Sequence, residues 1–224
     1  MTSSRMRPSL VLVLGFLAAT PVCAASLEVD GHLKTRAILS SFPDDSLFRD
    51  IAGPETLDLE SDVRLNLRWR SGPWSLEAAG QLIALYGERI EFTRDLPPEV
   101  EALSPRLPDD RRRYFDLTSV LRDSGKLATL ARFDRLALGW TGEKTVVRVG
   151  RQALSWGNGL FYAPMDLVNP FDPATIDTEF KAGDDMLYLQ QLFDNGDDLQ
   201  AAFVARRNPL TGQRTGNQNT VAAK

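Results

Sequence analysis

A chain of 224 residues with 43% hydrophobic side chains, 25% charged side chains and a single cysteine is neither a disulfide scaffold nor a polytopic helical membrane protein, which needs repeated apolar runs of about 20 residues. The apolar content excludes a disordered chain. A net charge of −4, from 26 basic and 30 acidic side chains, leaves no global basic field for nucleic acid.

The first 24 residues read as a cleaved signal peptide. Arg5 and Arg7 precede the apolar run Leu10–Ala19, and Val22 and Ala24 stand three and one residues before the expected cut. Ten residues rise only about 15 Å as helix, half of a bilayer core, which argues against a membrane anchor. Val22 before Cys23 argues against a lipid-modified terminus. Residues 25–224 are then one exported domain.

From Ser26 the dominant period is two. Over Leu27–Leu39 one parity carries Leu27, Val29, Leu33 and Leu39, and the other carries Glu28, Asp30, His32, Lys34 and Arg36. Leu57–Arg70 splits the same way, with Leu57, Leu59, Val63, Leu65, Leu67 and Trp69 against Asp58, Glu60, Asp62, Arg64, Arg68 and Arg70. Such long alternation predicts strands about twice the usual globular length. Trp74–Gly87 is a third strand, with Glu77 on its polar face, and Leu130–Thr141, Thr145–Ala153, Met186–Phe193 and Leu199–Arg206 are weaker candidates. An antiparallel register placing Leu27 opposite Trp69 also sets Lys34 against Asp62, Arg36 against Glu60 and Glu28 against Arg68, the favourable cross-strand arrangement.

The connections alternate between long (Ser40–Thr56, Glu88–Thr129, Leu154–Asp185) and short (Ser71–Pro73, Gly142–Lys144, Asp194–Asp197). Trp69, Trp74, Trp140 and Phe193 lie within two residues of the short turns, where an interfacial aromatic girdle belongs. A soluble β-sandwich would also alternate, but without this asymmetry of loops. The pattern predicts an all-β, antiparallel transmembrane β-barrel with long external loops. Seven strands are an odd number and the end of the chain is polar, so the expectation is an incomplete N-terminal portion of a longer barrel, or a subunit of an oligomeric one. Within Glu88–Thr129, Asp109–Arg113 reads as a solvated charge cluster and Tyr114–Arg122 as a short helix.

Gly150-Arg151-Gln152, Trp156-Gly157, Pro164, Asp166 and Asn169-Pro-Phe-Asp-Pro173 form a recognisable stretch. It resembles a segment of a poorly characterised family of porin-like outer-membrane β-barrel proteins of Gram-negative bacteria. The resemblance spans Val147–Asp185, implies a barrel and names no substrate.

The residues themselves suggest a strand running into a structured loop that folds inward to narrow a pore. Its constriction candidates are Arg151, Trp156, Asp166, Asp172, Asp177, Glu179 and Lys181; the pore-lining candidates are Lys34, Arg36, Glu60, Asp62, Arg64, Arg68, Glu77 and Arg148. The expected function is passive passage of small hydrophilic solutes through an outer-membrane channel built by the barrel-assembly machinery; the alternative is a non-conducting barrel acting as receptor or scaffold. No enzyme is expected, because no pattern links the sole His32 to a nucleophilic serine. Neither metal nor cofactor is expected from one His and one Cys. Asp194–Asp198 lacks the spacing and terminal Glu of a calcium loop and reads as a turn.

Overall fold

The computed structural model describes residues 25–95, 107–156, 181–214 and 216–224. The signal-peptide reading over residues 1–24 lies outside them. The chain forms one antiparallel sheet from β1 (Ser26–Ser41), β2 (Glu55–Ser71), β3 (Trp74–Gly87), β4 (Thr118–Ser124), β5 (Leu127–Thr141), β6 (Thr145–Gln152), β7 (Asp184–Leu192), β8 (Asp198–Val204) and β9 (Thr220–Ala223). Two short helices, α1 (Leu47–Ala52) and α2 (Glu88–Phe92), lie in the long connections. Among the described residues no helix is long and apolar enough to cross a membrane.

All seven strands expected from alternation are present, with ends shifted by a few residues. The β1–β2 register is the one that pairs opposite charges: Leu27 faces Trp69, Lys34 faces Asp62 and Arg36 faces Glu60. Neighbours run β1-β2-β3-β5-β6-β7-β8-β9, and β4 pairs with β5 off this path. The terminal strands β1 and β9 do not meet, so the sheet is open. Two-residue links join β2 to β3 and β4 to β5; Gly72 and Gly125 supply the positive φ (+55° and +54°) that such tight turns require.

Two strands were not expected. The helix read over Tyr114–Arg122 is absent; Thr118–Ser124 is instead the first arm of a hairpin with β5. Ser119, Val120 and Thr118 suit a pleated ladder, and Gly125 closes the turn, which outweighs the weak helical pattern. The other is β9, a short partner of β8.

Because side chains alternate, the sheet has two chemically distinct faces. One row crosses eight strands as Leu27, Trp69, Leu76, Leu138, Val149, Leu187, Phe203 and Val221, apolar at every step. Leu33, Val63 and Leu82 form another such row on the same face, and most large side chains of this face are open to the surroundings (Leu33 68%, Leu65 59%). Trp74 and Trp140 face each other beside the short turns. The opposite face, called inner here, carries the charges. Over β7 and β8 it is apolar and covered: Met186, Tyr188, Ala202 and Val204 pack with Leu154, and Trp156 leans on the cluster. Near α2, Leu85, Ile90 and Ala128 make a second small core. The described parts of the connections at α2 and at Leu154–Trp156 therefore lie against the inner face.

Candidate functional site

The alternation of β5 breaks at Phe133-Asp134-Arg135-Leu136. Ala79 pairs with Arg135 while Gly80 pairs with Phe133, so Asp134 is the extra residue of a β-bulge. Phe133 and Leu136 both stay on the apolar face, and Asp134 and Arg135 are both buried toward the other. The bulge thus delivers two adjacent opposite charges to one place, which a regular strand never does.

Asp134 is the acceptor at the centre of this group. Its Oδ2 accepts from Arg64 Nη2 (3.0 Å) and Arg135 Nη1 (2.6 Å), and its Oδ1 accepts from the Gly183 amide (3.2 Å). Arg132 Nη2 stands 3.8 Å from Oδ1. Arg135 Nη1 also donates to the Asp134 carbonyl, and its Nη2 donates to the Lys181 carbonyl. Lys181 Nζ in turn donates to the Leu154 carbonyl at 2.6 Å. Both described ends of the segment between Leu154 and Gly183 therefore sit on the inner face.

A second group adjoins it. On one edge of β5, β4 pairs with Leu127–Arg132 and β6 with Leu136–Thr141, leaving a break in the strand pairing opposite residues 133–135, where the Phe133 amide donates to the Leu117 carbonyl (2.9 Å). The Arg151 guanidinium fills this break. It donates to Asp185 through Nε (3.0 Å) and Nη2 (3.1 Å), to Asp110 Oδ1 through Nη1 (2.9 Å), and to the carbonyls of Phe133 (3.2 Å) and Phe115 (2.7 Å). Its side chain is wholly enclosed. Gly150, at φ +121°, brings β6 close to β5: a Cβ there would lie 2.2 Å from the Leu136 carbonyl oxygen.

Asp110 ties the loop before β4 to this arginine. It also accepts from Arg113 Nη1 (2.7 Å), the Leu117 amide (2.7 Å) and Thr118 Oγ1 (2.9 Å). Burial alone would push its carboxyl up, but the Arg113 hydrogen bond, the Arg151 charge and the Leu117 amide outweigh it and hold the pKa at about 2. Asp185 Oδ2 accepts from the Phe115 amide at 2.7 Å, and Arg113 Nε donates to the Gly183 carbonyl at 2.8 Å. Arg113 and Arg206 form an isolated bridge, and Arg206 pairs with Asp184. The expectation of a solvated Asp109–Arg113 cluster is corrected at two positions: Asp110 is buried and Arg113 nearly so, because each meets an enclosed opposite charge, whereas Arg112 is exposed.

The pore-lining candidates all lie on the inner face. Arg36 pairs with Glu60, which also accepts from Arg89; Arg68 pairs with Glu28 and Asp30; Asp62 accepts from Gln81 and stands opposite Lys34. Arg64 joins Asp134, Glu77 stands opposite Arg68, and the Arg148 guanidinium lies 4.7 Å from the centroid of the Tyr188 ring. Among the constriction candidates, Arg151 and Lys181 fasten segments together, and Trp156 packs on the inner apolar cluster. Asp166, Asp172, Asp177 and Glu179 lie outside the described residues.

Sequence reasoning missed Asp110, Arg113, Arg132, Asp134, Arg135 and Asp185. A signal existed for two of them: a charged pair between two large apolar residues, inside an otherwise alternating strand, marks a bulge. Among the described residues no group of three or more His, Cys, Asp or Glu is placed to hold a metal. No protein-family model, curated protein or solved structure matches this chain.

Proposed function

We propose that the sheet is the wall of an outer-membrane β-barrel and that its inner face lines a channel for small hydrophilic solutes. The carrying observation is the apolar row across eight strands, set back to back with a face of paired charges. In water, a continuous exposed apolar band of this extent is unfavourable by roughly 25 cal/mol for each Å². In hydrocarbon it is the ordinary outer face of a barrel, and the paired tryptophans beside the short turns fit the interfacial girdle. In lipid the free edges of β1 and β9 must find pairing partners, because unpaired backbone groups there cost several kcal/mol each.

The inward course of the chain at Leu154 and Gly183 favours a narrowed passage over a wide one. Reconstitution of the full chain into planar bilayers tests the reading. Discrete conductance steps are expected; a chain that inserts in folded form and never conducts would leave the receptor or scaffold role in its place.

A further inference from the structure

We infer that the inner wall prefers anions, with Arg132 and Arg148 setting the preference; this rests on the channel reading and names the class of solute it favours. Most inner-face arginines are spoken for. Arg36 has Glu60, Arg68 has Glu28 and Asp30, and Arg64 and Arg135 share Asp134. Arg132 differs. Its side chain is 10% exposed, and its Nε and Nη2 are enclosed without a hydrogen-bond partner. The nearest carboxylate oxygen, 3.8 Å away, already accepts from the Gly183 amide, and its twin accepts from two other arginines.

Arg148 is the second surplus charge. Its Nε is buried without a partner, and its guanidinium faces the Tyr188 ring. A ring stabilises a cation by its quadrupole but does not neutralise it. Among the described residues, the charges along this stretch of wall are Asp62, Glu77 and Asp134 against Arg64, Arg132, Arg135 and Arg148; the Asp62 Oδ1 is likewise buried without a hydrogen-bond partner, and the balance is one positive charge. Arginine does not shed its proton in a protein, so the surplus persists across the physiological range. A charge held against a low-dielectric wall projects its field into the adjacent water, which raises the local concentration of small anions and lowers that of cations.

The test is the reversal potential of the full chain in planar bilayers under a potassium chloride gradient. Wild-type protein is expected to favour chloride. Arg132→Gln and Arg148→Gln each lower the chloride-to-potassium permeability ratio, by about twofold or more for a charge lining a narrow path. Arg132→Lys retains the preference, and Glu77→Gln raises it. Folding of each variant is checked by heat-modifiable gel migration, and Arg148→Gln carries the test if Arg132→Gln does not fold. A conducting wild-type protein that favours potassium, or a ratio unmoved by the arginine changes, overturns the anion preference and leaves the channel standing. Absence of conductance removes the channel itself.

Discussion

Arg151 shows how one side chain can stand in for missing backbone pairing. Its five donors meet two carboxylates and two carbonyls around the break in the edge of β5. Removing one member of such a buried set leaves the others charged and unpaired. Arg151→Ala is therefore expected to destabilise the folded chain by about 3–5 kcal/mol, read as a lower urea midpoint for unfolding from vesicles. Asp110 adds a pH dependence of definite sign. Its folded pKa, about 2, lies below the ordinary 3.8, so its contribution is fully present above about pH 4 and is lost as pH falls through 2. The shift corresponds to about 2 kcal/mol. Unfolding midpoints measured from pH 5 to pH 2 should fall, and Asp110→Asn should flatten that part of the profile. None of this was legible along the chain, because Asp110, Arg151 and Asp185 are far apart in sequence and only the topology brings them together. Charge runs such as Asp109–Arg113 look solvated unless the partners are known.

The elements were far more legible. Side-chain alternation is a local property, and in β1, β2 and β3 nothing interrupts it; even the charge-matched β1–β2 register follows from the order of residues. It faded in β5 for a physical reason. The bulge at Asp134 inverts parity halfway, so each half of the strand argues against the other. This makes a test of the bulge itself. Deleting Asp134 should restore one-for-one pairing without moving either half, so cysteine pairs introduced at Leu82 with Ala131 and at Leu76 with Leu138 should both still cross-link. Loss of the second pair alone would mean that the bulge does more than add a residue. The hairpin of β4 was hidden by a different cause: four of its seven residues are charged or are serines, and only the Gly125 turn marks it.

For the whole molecule, the question is which solvent each face meets. If the apolar face meets hydrocarbon, Leu65→Arg should cost about 2–4 kcal/mol, seen as a smaller folded fraction in vesicles, while Ile38→Arg, on the inner face opposite Asp58, should change it little. Equal effects of the two changes would argue that both faces meet water. The break in the edge of β5 has one more consequence. A sheet separates its two faces only where neighbouring strands are zipped together, and on the edge of β5 shared by β4 and β6 no strand pairs with residues 133–135. If the sheet is a barrel wall, that notch, left open, would be a lateral seam through which water could reach the acyl chains and lipid could reach the charges within. The guanidinium of Arg151 would then work as a grommet, keeping the wall watertight where the weave of strands divides.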